Sequence, residues 1–186
     1  MSILAAYVVP HPPLIIPEVG RGEEKKIQLT VSAYERAMKE AAELVPDTVI
    51  IVSPHTVMYA DYFHIAPGEE ASGSFGQFGA PEVAVTAQYD AVLAKEIEME
   101  AGEAGIEAGP VGGRNAALDH AVMIPLHFLH AYTRDFRVVR LGISGLSPLD
   151  HYNFGKCVAR AVDTLGRRAV FIASGDLSHK LTPEGP

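Results

Sequence analysis

What most constrains the fold of this chain is a recurring unit. A short, uninterrupted apolar run is stopped by Pro, Gly or Ser, and a stretch with helical periodicity follows. Ile3-Leu4-Ala5-Ala6-Tyr7-Val8-Val9 runs into Pro10, and Thr48-Val49-Ile50-Ile51-Val52-Ser53 into Pro54. Phe136 to Ile143, broken by Arg137 and Arg140, reads as a further strand, and Arg168 to Ser174 as the last buried one. A run without polar alternation belongs to a strand covered on both faces, as in a parallel sheet clothed by helices. Between the runs, Ile27, Val31, Tyr34, Met38, Ala41 and Val45 step by four and three, an apolar stripe that stops before Pro46. Asp90 is placed to cap a second helix using Leu93, Ile97, Ala101 and Ala104, closed by Gly102 and Gly105. A third helix is expected from Leu118-Asp119-His120 to Ala131. Ser147-Pro148 opens a fourth, which uses Phe154, Val158, Ala161 and Leu165. Val83 to Tyr89 reads as a strand, Asp61 to Ala66 as a short one, and Gly73 to Gly79 as a loop. The alternation predicts an α/β fold, a layered domain with a mostly parallel central sheet flanked by helices and room for an antiparallel member.

Composition narrows the function classes. A chain of 186 residues is enough for one domain, and 48% hydrophobic with 20% charged residues excludes disorder and coiled coil. A net charge of -8, spread without clusters, argues against nucleic acid or an anionic membrane as the main partner. The single Cys excludes a disulfide framework and a Cys-only zinc site, and it suits a reducing cytoplasm. No apolar run approaches the roughly 20 residues of a membrane span. The run from Ile3 lacks a preceding basic residue, which makes it a first strand rather than a signal peptide.

Histidine carries the chemical signal. Of 8 His residues, three follow expected strands closely: His11 in Pro10-His11-Pro12-Pro13, His55 in Ser53-Pro54-His55, and His179 in Gly175-Asp176-Leu177-Ser178-His179. In open parallel sheets the ligand crevice lies beyond the carboxyl ends of the strands. Flanking prolines stiffen the mount of an imidazole, and neutral imidazole suits iron, zinc or copper. The competing reading is that each ring hydrogen-bonds loop backbone. Asp176 or Ser178 is placed to orient the His179 ring, and Asp119 to cap the helix that His120 begins. His127 and His130 share a helical face but lack the His-Glu-x-x-His arrangement, so they read as packing or surface residues. His64 and His151 read as structural, and Cys157 as a small buried hydrophobe. No P-loop and no Gly-x-Ser-x-Gly nucleophile elbow is present.

Taken together, Pro10-His11-Pro12-Pro13, Ser53-Pro54-His55, Leu118-Asp119-His120 and Gly175-Asp176-Leu177-Ser178-His179 have the order and spacing of a known family. The chain resembles the catalytic, LigB-type subunit of class III extradiol ring-cleavage dioxygenases over nearly its whole length. Within that family it is similar to the bacterial branch tied to the AmmeMemoRadiSam system, which Phe75-Gly76-Gln77-Phe78-Gly79-Ala80-Pro81-Glu82 fits. The resemblance implies a LigB-like domain over 1–186 and a non-haem Fe(II) held by two His and one Glu, with His11 and His55 as the two His. It implies His179 as the acid/base that removes a catechol proton and later returns one. His120 would be a second active-site His near the oxygen pocket, with Ala121 where the family usually has Gly.

The implied substrates are a small aromatic compound and O2. The implied partners are an AMMECR-type domain or a radical SAM protein, and a second copy in a homodimer. The family's Glu ligand lies well after the Gly-Asp-Leu-Ser-His motif, and Glu184 is not in the matching context. The resemblance therefore implies an N-terminal fragment of a longer chain, truncated at its C-terminus. A related Memo-like branch shares the fold and would use His179 as a third His ligand beside His11 and His55, in an interaction or redox module without ring cleavage. A hydrolase using Zn(II) on the same scaffold is a third expectation.

Overall fold

The computed structural model describes residues 2–112 and 117–176. In chain order the elements are β1 (Ile3–Val9), the single turn α1 (Pro17–Gly20), α2 (Gln28–Glu43), β2 (Thr48–Ser53), β3 (Phe63–His64), β4 (Glu70–Phe75) and β5 (Ala80–Gln88). There follow α3 (Ala91–Glu103), β6 (Ala108–Gly109), α4 (His120–Leu129), β7 (Arg137–Gly142), α5 (Pro148–Thr164) and β8 (Ala169–Ser174). The central sheet has the order β1-β8-β2-β7 with every pair parallel, so this is the α/β layered fold that the apolar runs predict.

Helices cover both faces. On one, Val49, Ile51, Val138, Val170 and Ile172 pack with Val31, Tyr34 and Met38 of α2 and with the apolar α4. On the other, Ile50, Val139 and Leu141 meet Leu93 and Ile97 of α3 and Phe154, Val158 and Ala161 of α5. Both helices of this second layer start on well-made caps. Asp90 accepts from Leu93 N at 3.0 Å. Ser147 and Asp150 form a reciprocal capping box ahead of Pro148. The register aligns Val9 with Ser174 and Ser53 with Gly142, which brings the carboxyl ends of the four strands to one edge. Among the described residues no helix is long and apolar enough to cross a membrane.

Five local expectations change. Gly73, Ser74 and Phe75 lie in β4, paired antiparallel with β5, and only Gly76–Phe78 makes a turn. The glycine that suggested a loop answers a packing demand: a Cβ on Gly73 would sit 2.5 Å from Leu118 O. The antiparallel member is this separate hairpin, outside the central sheet. The α2 stripe ends at Ala41, and Val45 is 70% exposed with φ 48°, turning the chain towards β2. Ala104 is exposed just past the end of α3, which Gly105 closes at φ 71°. Finally, β1 is an edge strand. Its Tyr7 and Val9 face α2, but Val8 is 67% exposed, because the residues that α3 and α5 bury come mainly from β2, β7 and β8.

Candidate metal centre

The site is built where the parallel strands end. β1 runs into Pro10-His11 and β2 into Pro54-His55, with the end of β8 between them. The third imidazole arrives from above the sheet. Asp119 caps α4, accepting from Val122 N at 3.2 Å, and this places His120 at the first helical position.

Three rings meet as a result. His11 Nε2 lies 3.1 Å from His55 Nε2. Ring centroids are 5.0 Å apart for His11 and His55, 5.3 Å for His11 and His120, and 4.3 Å for His55 and His120. One ligating nitrogen from each ring lies within 4.8 Å of the others. His11 is buried, His120 half-buried and His55 exposed, so among the described residues the cluster is open at His55. Phe78 lays an edge-on wall at 5.2 Å from His120.

Hydroxyls and carboxylates hold the rings. His11 Nδ1 is 3.1 Å from Ser174 Oγ, the last residue of β8. Ser53, the last residue of β2, receives His55 N–H at 3.1 Å and donates its own hydroxyl to Asp119 Oδ1 at 2.7 Å. Asp119 therefore ties the His55 loop to the helix that carries His120. Asp176 Oδ2 lies 3.0 Å from His11 Nε2, so its carboxylate points at the cluster.

Burial is the main influence on the charge of these rings. It pushes His11 and His120 below the usual imidazole range, against the opposing pull of Asp176 and Asp119, and the neighbouring imidazoles reinforce the effect. Neutral rings keep a lone pair for a ligand. His11 Nε2 faces another imidazole nitrogen and a carboxylate oxygen, each about 3 Å away, and in the tautomer that donates Nδ1–H to Ser174 it presents a bare lone pair to them. Three basic atoms at that separation call for a shared cation or proton. Two nitrogens held about 2.1 Å from one ion at right angles would lie about 3.0 Å apart, close to the His11–His55 spacing. The donor set fits a divalent transition metal.

Of the residues singled out in the sequence, His11, His55 and His120 come together. His179, Ser178 and Glu184 lie outside the described residues. His127 and His130 pack on Phe128 and Phe136. His151 donates to Ser147 O and edges onto Phe63. Cys157 is buried in the α5 core. The sequence reading missed the roles of Ser53 and Ser174, although a hydroxyl closing an otherwise apolar strand was a usable signal. It assigned Asp119 only a cap and Asp176 only an orienting role towards His179.

Comparison with known proteins gives the family. A family model described as the catalytic LigB subunit of aromatic ring-opening dioxygenase matches residues 5–186. Protein CA_C1420 of Clostridium acetobutylicum is 42% identical over 193 residues, covering 100% of this chain and 41% of that protein. The beta subunit of 2-aminophenol 1,6-dioxygenase from Pseudomonas sp is 26% identical over 197 residues, covering 96% of this chain and 63% of that protein. The chain thus spans less than two thirds of the length of either relative. With three imidazoles at the strand ends and a family match over nearly its whole length, the chain belongs to the LigB family, the catalytic subunits of aromatic ring-opening dioxygenases.

Proposed function

We propose that this chain carries the metal-binding half of an extradiol dioxygenase that opens a catechol- or 2-aminophenol-type ring with O2. The observation that carries the reading is the convergence of His11, His55 and His120 beyond the carboxyl ends of parallel strands, beside the Asp176 carboxylate. His11 and His55 would hold a non-haem Fe(II). When bound, that ion would supply coordination positions for the ring substituents and O2 and the redox chemistry that couples them.

The remaining work falls to protein groups. Ser174 and Ser53 hold the rings in one orientation, so the ligating nitrogens need no reorganisation when an ion arrives. His120, kept neutral by burial, borders the pocket with a lone pair that can accept a hydrogen bond from an incoming hydroxyl. Phe78 gives the aromatic ring an edge to pack on and excludes water from that side. His179 is assigned the proton transfer, taking a hydroxyl proton from the substrate and returning it to the opened product, which keeps both oxygen atoms.

The test is direct. The protein is loaded with Fe(II) without oxygen, then given O2 and a panel of catechols and 2-aminophenols while oxygen consumption and ring-opened product are followed. An iron-loaded protein that consumes no oxygen and opens no ring on this panel overturns the reading.

One observation favours a second reading. The His120 nitrogen is as much a part of the cluster as the other two, which suits a three-imidazole centre without ring cleavage; it differs from the Memo-like expectation, whose third imidazole is His179, but would serve the same AMMECR-type or radical SAM partner. Such a centre takes Zn(II) as readily as iron. His120→Ala separates the two: metal content is spared if His120 only borders the pocket and falls if it is a ligand.

A further inference from the structure

Buried polar atoms without a partner are rare in folded proteins. Here, Tyr34 OH and Arg167 Nε apart, they belong to residues on or next to the segments that carry His55 and His120. Thr56 Oγ1, both ring nitrogens of His64, Tyr89 OH, Asp119 Oδ2 and Arg140 Nε are all buried and make no hydrogen bond among the described residues.

These atoms share one neighbourhood. Arg140 and Gly142 fall on the same face of β7, and a Cβ on Gly142 would meet Thr56 Cγ2 at 3.0 Å and His64 Cβ at 3.4 Å. β2 pairs Ile51 with Arg140 and Ser53 with Gly142, and Ser53 is the residue that holds Asp119. Arg140 Nη1 donates to Ala117 O at 3.1 Å, two residues before Asp119. Arg140 acts electrostatically on His64, and both Arg140 and Asp119 act on Tyr89.

The charges are complementary as well. Arg140 is 3% exposed and has no carboxylate within ion-pair distance among the described residues. A buried guanidinium left uncompensated is heavily penalised. Asp119 Oδ2, two residues on from the Ala117 carbonyl that takes Arg140 Nη1, is a buried acceptor with no donor among the described residues. A buried water makes about three hydrogen bonds to atoms of this kind, and Arg140 Nε–H, Asp119 Oδ2, Tyr89 OH and His64 supply them.

We propose that Arg140 and Asp119 form a water-bridged ion pair across this buried space, which makes Arg140 a positioning residue for His55 and His120. The influence has a definite route. Asp119 Oδ1 caps the first turn of α4 and accepts from Ser53 Oγ, which in turn receives the His55 amide. Holding the far oxygen of Asp119 therefore fixes the approach of both rings.

The metal readout rests on the metal-centre reading above; the unfolding readout does not. Wild type, Arg140→Met, Asp119→Asn and the double variant are compared in Zn(II) affinity and in equilibrium unfolding without metal. Arg140→Met weakens Zn(II) binding about tenfold and Asp119→Asn by about 10–100-fold, in the range for groups that orient metal ligands. The double variant binds no more weakly than Asp119→Asn alone, and Arg140→Lys recovers most of the affinity. In unfolding, the two single effects likewise sum to more than the double. Additive effects in both measurements overturn the proposal, as does an Arg140→Met protein that loses stability but keeps its Zn(II) affinity. So does stabilisation of the wild type, but not of Arg140→Met, by acetate or chloride, since a free anion would then be the counter-charge. A wild type that binds no Zn(II) counts against the metal centre, while the unfolding cycle still decides the pair.

Discussion

Gly73 joins the β4–β5 hairpin to the segment that delivers His120, and Gly73→Ala should disturb both. The added Cβ would lie 2.5 Å from Leu118 O, 2.7 Å from Met123 Sδ and 3.2 Å from Leu118 Cβ. The Met123 thioether can swing aside, but the carbonyl is backbone. A carbon rests about 3.3–3.6 Å from a carbonyl oxygen, so the two must part by roughly 1 Å. Leu118 is not free to retreat, because its N–H donates to Ser72 O at 3.0 Å beside the glycine. Overpacking of this kind costs about 1–3 kcal/mol, and a strained hydrogen bond adds about 1. The stiffer unfolded chain returns about 0.4–1 kcal/mol. A net loss of about 2 kcal/mol is expected, which is a fall in Tm of roughly 4–8 °C for a domain of this size. Because Leu118 leads into Asp119 and His120, Zn(II) affinity should fall with it. Gly102→Ala on α3 is the control: nothing lies within 4 Å of its Cβ, so stability should rise, by up to about 1 kcal/mol. Urea unfolding and a Zn(II) competition titration on the three proteins read both effects. A Gly73→Ala protein with unchanged midpoint and affinity refutes the reasoning.

His11→Ala and His55→Ala should each lower bound metal, measured by elemental analysis of protein loaded with Fe(II) or Zn(II) and freed of excess by gel filtration; unaltered stoichiometry in both would remove them as ligands. Asp90→Ala removes the cap on Leu93 N, the acceptor for Thr48 Oγ at 2.7 Å and the partner of Arg167 at 3.0 Å. It should cost about 3 kcal/mol in urea unfolding and leave metal affinity intact, since it lies at the opposite end of the strands. Burial first, then Arg134 and His127, lowers His130 from 6.5 to about 4. The unfolded chain takes this proton first, so stability is full above pH 6.5 and declines as pH falls towards about 4. His130→Gln should make that decline shallower by up to about 1.4 kcal/mol per pH unit, read from urea midpoints at a series of pH values. A slope identical to wild type would show that His130 does not titrate differently on folding.

Much of this architecture was legible because burial on both faces leaves a plain mark. Val49, Ile50 and Ile51 are all 0% exposed, as a strand covered on both faces by helices requires. The caps at Asp90 and Ser147 were legible because capping is local, decided within four residues. Val8 misled for the opposite reason. An edge strand in a parallel sheet can have the same composition as a central one, and only the strand order places β1 at the edge. Gly73 misled because a glycine required by a neighbour distant in sequence looks the same as one required by a turn.

The candidate site divides in the same way. By itself the sequence determined the strand ends and the stiff proline mounts on which His11 and His55 sit, since both follow from apolar runs and short-range backbone constraint. It also determined that His120 starts a helix behind Asp119. Only the tertiary structure decided that His120 joins the other two rings and that Asp176 points at His11. The Ser53–Asp119 link and the unpartnered Arg140, Asp119 and His64 atoms were likewise visible only there. Those relations join residues tens to more than a hundred positions apart, and no local energy term carries them. They depend on sheet order and register, which place Ser174 beside Val9 and Gly142 beside Ser53, and the long-range packing of α2, α4 and α5 sets that order.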